Sequence, residues 1–196
     1  GTTFRVYLNG QFLGGAGVPG IDRKSSVADR INRKFIIERP TSGELDLVVQ
    51  LANYDHADGG FWYPARLGTQ SSIDAERKIA SGIELLSMGA MLFAGFYHLA
   101  LFFYRRKEYS YLLMGIFLLL IVLRIFSTGE LWIRELFPNM KWDTQIRIEY
   151  IGAYGTPLFF ILFFLSVFDD IGNRSFFIFT ALFLSLFLIP VFFMDS

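Results

Sequence analysis

The chain has 196 residues, in which 18 lysines and arginines balance 18 aspartates and glutamates, and it has no cysteine. Zero net charge offers no clustered basic face of the kind that nucleic acid requires. The missing cysteines exclude disulfides, thiolate metal sites and a cysteine nucleophile. The mean hydropathy of +0.42 averages two unlike parts. Of the charged residues, 19 lie in the first 78 positions and 17 in the remaining 118.

The first part, residues 1–68, reads as β structure. Phe4, Val6 and Leu8 alternate with Arg5 and Tyr7, then Asn9-Gly10 leads into Gln11-Phe12-Leu13. Alternating apolar residues around Asn-Gly predict a hairpin with a type I′ turn. The glycine-rich run Gly14–Gly20 ends its second strand. Lys34–Glu38 is expected as a third strand, and Leu45, Leu47, Val49 and Leu51 share one face of a fourth. A fifth is expected over Phe61–Leu67, at an edge or bulge because of Pro64. Five strands in so few residues make one small sheet without a second layer. The expectation is the C-terminal portion of a β-sandwich whose first strands are missing, and Gly1 in place of an initiator methionine suits a cut end.

The stretch Asn53–Gly68 carries the most chemistry in this part. Asp55, His56 and Asp58 are metal-ligand types, but their tight spacing on a loop without a distant partner is weak evidence, and no metal site is expected. Phe61, Trp62 and Tyr63 offer aromatic faces on which a sugar ring would stack. The competing reading packs Trp62 within the sandwich or at the membrane interface. Together these six residues are the candidate ligand-binding surface.

Residues 69–82 read as a linker, and residues 83–196 as a helical membrane domain. Four apolar runs, about 83–104, 109–128, 148–168 and 176–194, each approach the ~20 residues that a helix needs to cross lipid. A soluble core helix rarely stays apolar on every face for so long. Arg105-Arg106-Lys107 in the first short connection marks that loop as cytoplasmic by the positive-inside rule. The β part and the 129–147 connection then lie outside, with Tyr104, Tyr109 and Tyr111 on the inner aromatic belt and Trp132, Trp142 and Tyr150 on the outer one. Glu84, His98, Arg124 and Glu149 are ionisable groups within or at the edge of spans, where charge is expensive. Arg124 either snorkels to the headgroups or pairs with Glu84 or Glu149, Glu149 being the favoured acid. His98 is expected as a hydrogen-bonded packing residue. Ala90-xxx-Ala94 and Gly152-xxx-Thr156 are small-residue spacings that let helices approach closely. A P-loop, HExxH or GxSxG motif does not occur, so neither an enzymatic activity nor a cofactor is expected of this chain.

Two stretches together resemble the bacterial seven-transmembrane receptors with diverse intracellular signalling modules. The VYLNG hairpin with LVVQLANYDHADGGFWYPARLG is similar to the end of that family's extracellular sensor, a jelly-roll akin to carbohydrate-binding modules. GFYHLALFFYRRKEYSYLLMGIFLLLIVLR (Gly95–Arg124), the Gly-Glu pair at 129–130 and Ile148–Gly152 resemble the first spans of its membrane domain. The resemblance implies a multi-pass receptor of the bacterial inner membrane, truncated here from seven spans to four. Its N-terminal domain would be periplasmic and sense a small molecule or carbohydrate. A cytoplasmic output module outside this chain would answer, and a homodimer stays open. The alternative is a membrane-anchored module that binds glycan or a partner without signalling.

Overall fold

The computed structural model describes residues 2–37, 44–56, 65–168 and 173–193. They fall into two units, one up to Arg77 and the other from Lys78 onward.

In the first unit Asn9 and Gly10 take φ of 49° and 78°. Two successive left-handed residues are what a type I′ turn demands, and Asn-Gly accepts them at least cost. The turn joins β1 (Thr3–Leu8) to β2 (Gln11–Ala16) as expected. β3 (Leu47–Ala52) pairs antiparallel with the other edge of β1, giving the order β2-β1-β3. Registers Val6↔Gly14 and Tyr7↔Phe12 leave Leu13 as the extra residue of a bulge. Such a bulge bends the strand and increases its twist.

Several expected features of this unit differ. Residues 34–37 of the third expected strand are not in a strand, and Glu38 lies outside the described residues. Phe35 lays its ring on Gly14, with Cε1 2.7 Å from where a Cβ would stand, so the segment docks through a side chain and not through a backbone ladder. Of the fifth strand, residues 65–67 are irregular and residues 61–64 lie outside the described set. Among the described residues there is one three-stranded sheet and no second layer, so the jelly-roll sandwich is not seen there. Leu47, Val48 and Leu51 on β3 are accordingly exposed.

The second unit is helical. α1 spans Gln70–Tyr104, α2 Tyr109–Ser127, α3 Trp132–Leu136, α4 Trp142–Val167 and α5 Arg174–Phe193. Among the described residues, α1, α2, α4 and α5 are long and apolar enough to cross a membrane. Two begin earlier than the sequence pattern indicates. The stretch read as a linker, residues 69–82, is helical from Gln70, and the third span starts at Trp142, ahead of its apolar run. Polar residues of good helical propensity extend both helices beyond the hydrophobic window. At 35 residues α1 is about 52 Å long, against a hydrocarbon core of about 30 Å.

Glycine sets the closest helix crossings. Gly95 and Gly115 are both buried where α1 meets α2, and a Cβ on Gly115 would stand 3.2 Å from the Gly95 carbonyl oxygen. Gly152 of α4 faces the Arg124 backbone of α2, with a Cβ placed 3.2 Å from its Cα, and Gly155 faces Leu120. Aromatic rings fill the α4–α5 contact, where Tyr154 stacks on Phe187 at 5.5 Å and Phe164 meets Phe177 at 5.6 Å. Of the two small-residue spacings, Gly152 makes a helix contact, whereas Ala90 is exposed. Thr156 turns its hydroxyl back to the Gly152 carbonyl at 2.6 Å.

A side chain at Gly115 must therefore displace Leu99, whose Cδ2 would be 2.8 Å from the new Cβ. Gly115→Val is expected to lower the unfolding free energy in detergent by about 1–3 kcal/mol. Ala90→Val, on an exposed surface, is the control and should change it by less than about 0.5 kcal/mol. Equal effects in thermal unfolding would show that the glycine crossing does not hold the bundle.

Candidate functional site

Two polar clusters hold the described candidates Asp55, His56 and Glu84. In the first unit β3 ends at Ala52 and the chain turns through Asn53–His56. The Asn53 amide donates to the His56 carbonyl at 2.8 Å, closing this turn on itself. The Tyr54 hydroxyl donates to the Ile21 carbonyl at 2.7 Å, and Arg23 Nε lies 3.5 Å from Asp55 Oδ1. Both contacts tie the turn to the loop at residues 21–25. Asp55 thus has a cation beside it, although Arg23 is largely exposed and the pair is correspondingly weak. Asp58, Phe61, Trp62 and Tyr63 lie outside the described residues. Among the described residues no group of three metal-ligand side chains is found.

The neighbouring loop is ordered by Asp22. Its carboxylate accepts the Ser25 hydroxyl at 2.6 Å and the Ser25 amide at 2.8 Å. Charge-assisted bonds to the ionised form favour it, so these contacts, the hydroxyl first, hold the Asp22 carboxyl below its ordinary value.

In the second unit Glu84, on α1, accepts two hydrogen bonds from the segment after α2. Its Oε2 accepts the Trp132 indole N–H at 2.9 Å and the Glu130 backbone N–H at 3.3 Å. Gly129 makes this possible in two ways. Its φ of +60° turns the chain sharply after α2, and a Cβ there would overlap Glu84 Oε1. The α2 terminus before it is capped by Thr128, whose hydroxyl donates to the Arg124 carbonyl at 2.7 Å. The buried Ser127 hydroxyl donates to the same oxygen at 3.2 Å. Leu131 follows with φ of +59° and is only 3% exposed.

The other ionisable candidates make contacts of other kinds. Arg124 sits in the last turn of α2 with its backbone against Gly152, and among the described residues it makes no ion pair with Glu84 or Glu149. Glu149 lies in the second turn of α4, at the same end of the bundle. His98 is half-buried, its Nδ1 2.8 Å from the Ala94 carbonyl oxygen and its ring edge-on to Tyr97. Since a carbonyl can only accept, this contact assigns the proton to Nδ1.

Gly129, Glu130 and Trp132 were visible in the sequence as a Gly-Glu pair and an interfacial aromatic, without a hint that all three meet Glu84. A carboxylate near the end of one span and an indole just past the end of the next was the available signal. Gln145 of α4 is fully buried with neither amide atom hydrogen-bonded, and sequence pattern gave no warning of it.

A small β-sheet followed by four helices long and apolar enough to cross a membrane defines a multi-pass membrane protein. Residues 81–196, more than half of the chain, match the family described as 7TM diverse intracellular signalling. The chain belongs to that family, whose members are transmembrane signalling proteins. No curated protein and no solved structure matches it.

The depressed Asp22 pKa has a definite sign. Its contribution to stability is present at neutral pH and is lost as pH falls through the folded-state pKa. In an NMR titration Asp22 should lose its charge at lower pH than an unpartnered aspartate, and Ser25→Ala should move its midpoint upward. An unmoved midpoint would mean that the Ser25 contacts are not formed in solution.

Proposed function

We infer that this chain is the sensing and relaying part of a bacterial inner-membrane receptor. Its N-terminal β module faces the periplasm and takes a small ligand, with carbohydrate as the favoured class. The helical part passes the resulting displacement to a cytoplasmic output module, which supplies any chemistry, so the chain itself is neither an enzyme nor cofactor-dependent.

One observation carries this reading. α1 runs without interruption from Gln70 to Tyr104, so the segment that follows the β module and the first span are a single helix. A flexible linker would dissipate a displacement, whereas a helix with its backbone bonds intact transmits it. The head of α1 is also tied to the segment before it. Lys34 pairs with Asp74, and Arg66 Nη1 lies 2.7 Å from Glu76 Oε2. Exposed pairs of this kind contribute little to stability individually. Their use here is to make the first turns of α1 follow the β module.

The orientation rests on Arg105, Arg106 and Lys107, all exposed in the connection between α1 and α2. Carbohydrate as the ligand class rests on the aromatic run Phe61-Trp62-Tyr63 beside Asp55 and His56.

Protease added to intact spheroplasts should cut the N-terminal part and spare the 105–107 loop; cleavage at Arg105 in sealed cells would invert the topology. On a glycan array the full-length receptor should bind, and Trp62→Ala should weaken binding up to about tenfold, the ~1.4 kcal/mol of one stacking contact. If Trp62→Ala binds normally, the ligand surface lies elsewhere; if it unfolds, Trp62 is a packing residue.

A further inference from the structure

The receptor reading leaves open where movement of α1 enters the bundle. A shift of the first span matters to the other helices only through a contact that exists in one position of α1 and is broken in another. Most of its surface offers nothing of the kind. Leu86, Phe93, Phe96 and Phe103 are exposed apolar residues, and lipid tails replace one such contact with another at little cost. The Gly95–Gly115 crossing is close, but it joins smooth surfaces without a directional bond.

Glu84 is different in kind. It is half-buried near the end of the bundle where α2 terminates, and its carboxylate reaches the segment after α2. Both of its donors, the indole of Trp132 and the amide of Glu130, converge on one oxygen from a single turn. Gly129 lies against the other oxygen, at a backbone angle that glycine adopts freely. Three consecutive requirements are therefore met at one spot: a residue without Cβ at 129, a backbone donor at 130 and an indole donor at 132. Hydrogen bonds are directional, so two that converge on one oxygen hold within a narrow range of α1 positions and fail outside it.

We propose that the Glu84 carboxylate is a latch that fixes α1 to the turn following α2, and that its release admits movement of α1 to the bundle. The latched state is the one described here. In the released state the carboxylate exchanges the two N–H donors for water or lipid headgroups at the membrane surface, within reach because the group is only half-buried. Trp132, freed of its partner, keeps its interfacial position, which suits an indole with one apolar and one polar edge. Its role in signalling rests on the receptor reading, whereas the latch itself does not.

These 196 residues hold no cysteine, so once any cysteine elsewhere in the full-length protein is replaced by serine, labels attach only where they are placed. Leu86 on α1 and Leu136 on α3 are 76% and 65% exposed, so Leu86→Cys and Leu136→Cys accept spin labels without disturbing the interior. With full-length protein in lipid nanodiscs and no ligand, pulsed electron resonance should give one narrow distance distribution. Glu84→Gln, whose amide oxygen still accepts both donors, should keep it. Glu84→Leu should add a second, longer population, and Trp132→Phe, which removes only the indole N–H, should add the same population to a smaller extent. If Glu84→Leu does not accumulate, Trp132→Phe against Glu84→Gln decides alone. An unchanged distribution in Glu84→Leu, or in Trp132→Phe where it stands alone, overturns the latch. So does broadening by Glu84→Gln equal to that of the variants lacking a bond. Lower thermal stability with an unchanged distribution makes Glu84 a packing residue and also overturns it. Because these distances are read without ligand, their failure leaves the receptor reading standing, and an intact latch beside a receptor that binds nothing counts against that reading alone.

Discussion

Lipid removes the usual reason for helices to stick together. A leucine on α2 is as well solvated by acyl chains as by a leucine on α4, so association must come from close packing and from hydrogen bonds. The bundle follows this constraint throughout. Its backbones approach where glycine permits, at Gly95 with Gly115 and at Gly152 with Arg124. The α4–α5 contact instead uses rings, among them Tyr154 on Phe187. Side-chain hydrogen bonds within the spans, such as those of His98 and Thr156, stay inside one helix, whereas the Glu84 bonds that join α1 to another segment lie at the end where α2 stops. The most completely buried residues of this unit lie there too: Ser127, Ile133 and Gln145.

Much of this was legible from residue order. The Asn9-Gly10 hairpin, the alternation at Leu47–Leu51 and the four spans follow from two periodicities and one turn signal, each a local property. Element ends were harder to place, because the apolar pattern stops where lipid stops while the helix does not. Residues 70–82 are polar, yet they remain helical, and hydropathy alone cannot report that. Strand assignments failed where a long-range contact replaced a ladder, as Phe35 does by covering Gly14.

Composition picked out the polar residues of the membrane part, but not the donors that meet Glu84. Charge pattern left Arg124 to snorkel to the headgroups or to seek an acid, since a guanidinium stays charged at any ordinary pH. An acid has more choices, because a carboxylate accepts equally well from an amide or an indole. Glu84 uses both, and neither donor carries a formal charge that a sequence reader would pair with it. Arg124 contributes through its backbone instead, as acceptor for the Ser127 and Thr128 hydroxyls and as the floor beneath Gly152.

Leu131 shows what such a turn demands of the chain around it. A left-handed leucine costs about 1–2 kcal/mol relative to its preferred backbone, and glycine would adopt the same φ of +59° freely. Burying the side chain to 3% exposure returns about 1.5–3 kcal/mol, so the conformation is held by its surroundings against its own preference. The turn is thus only conditionally stable. Whatever exposes Leu131 withdraws a term that offsets its left-handed backbone, and leaves the Leu131 N–H bond to the Thr128 carbonyl and the Glu84 contacts to hold the turn.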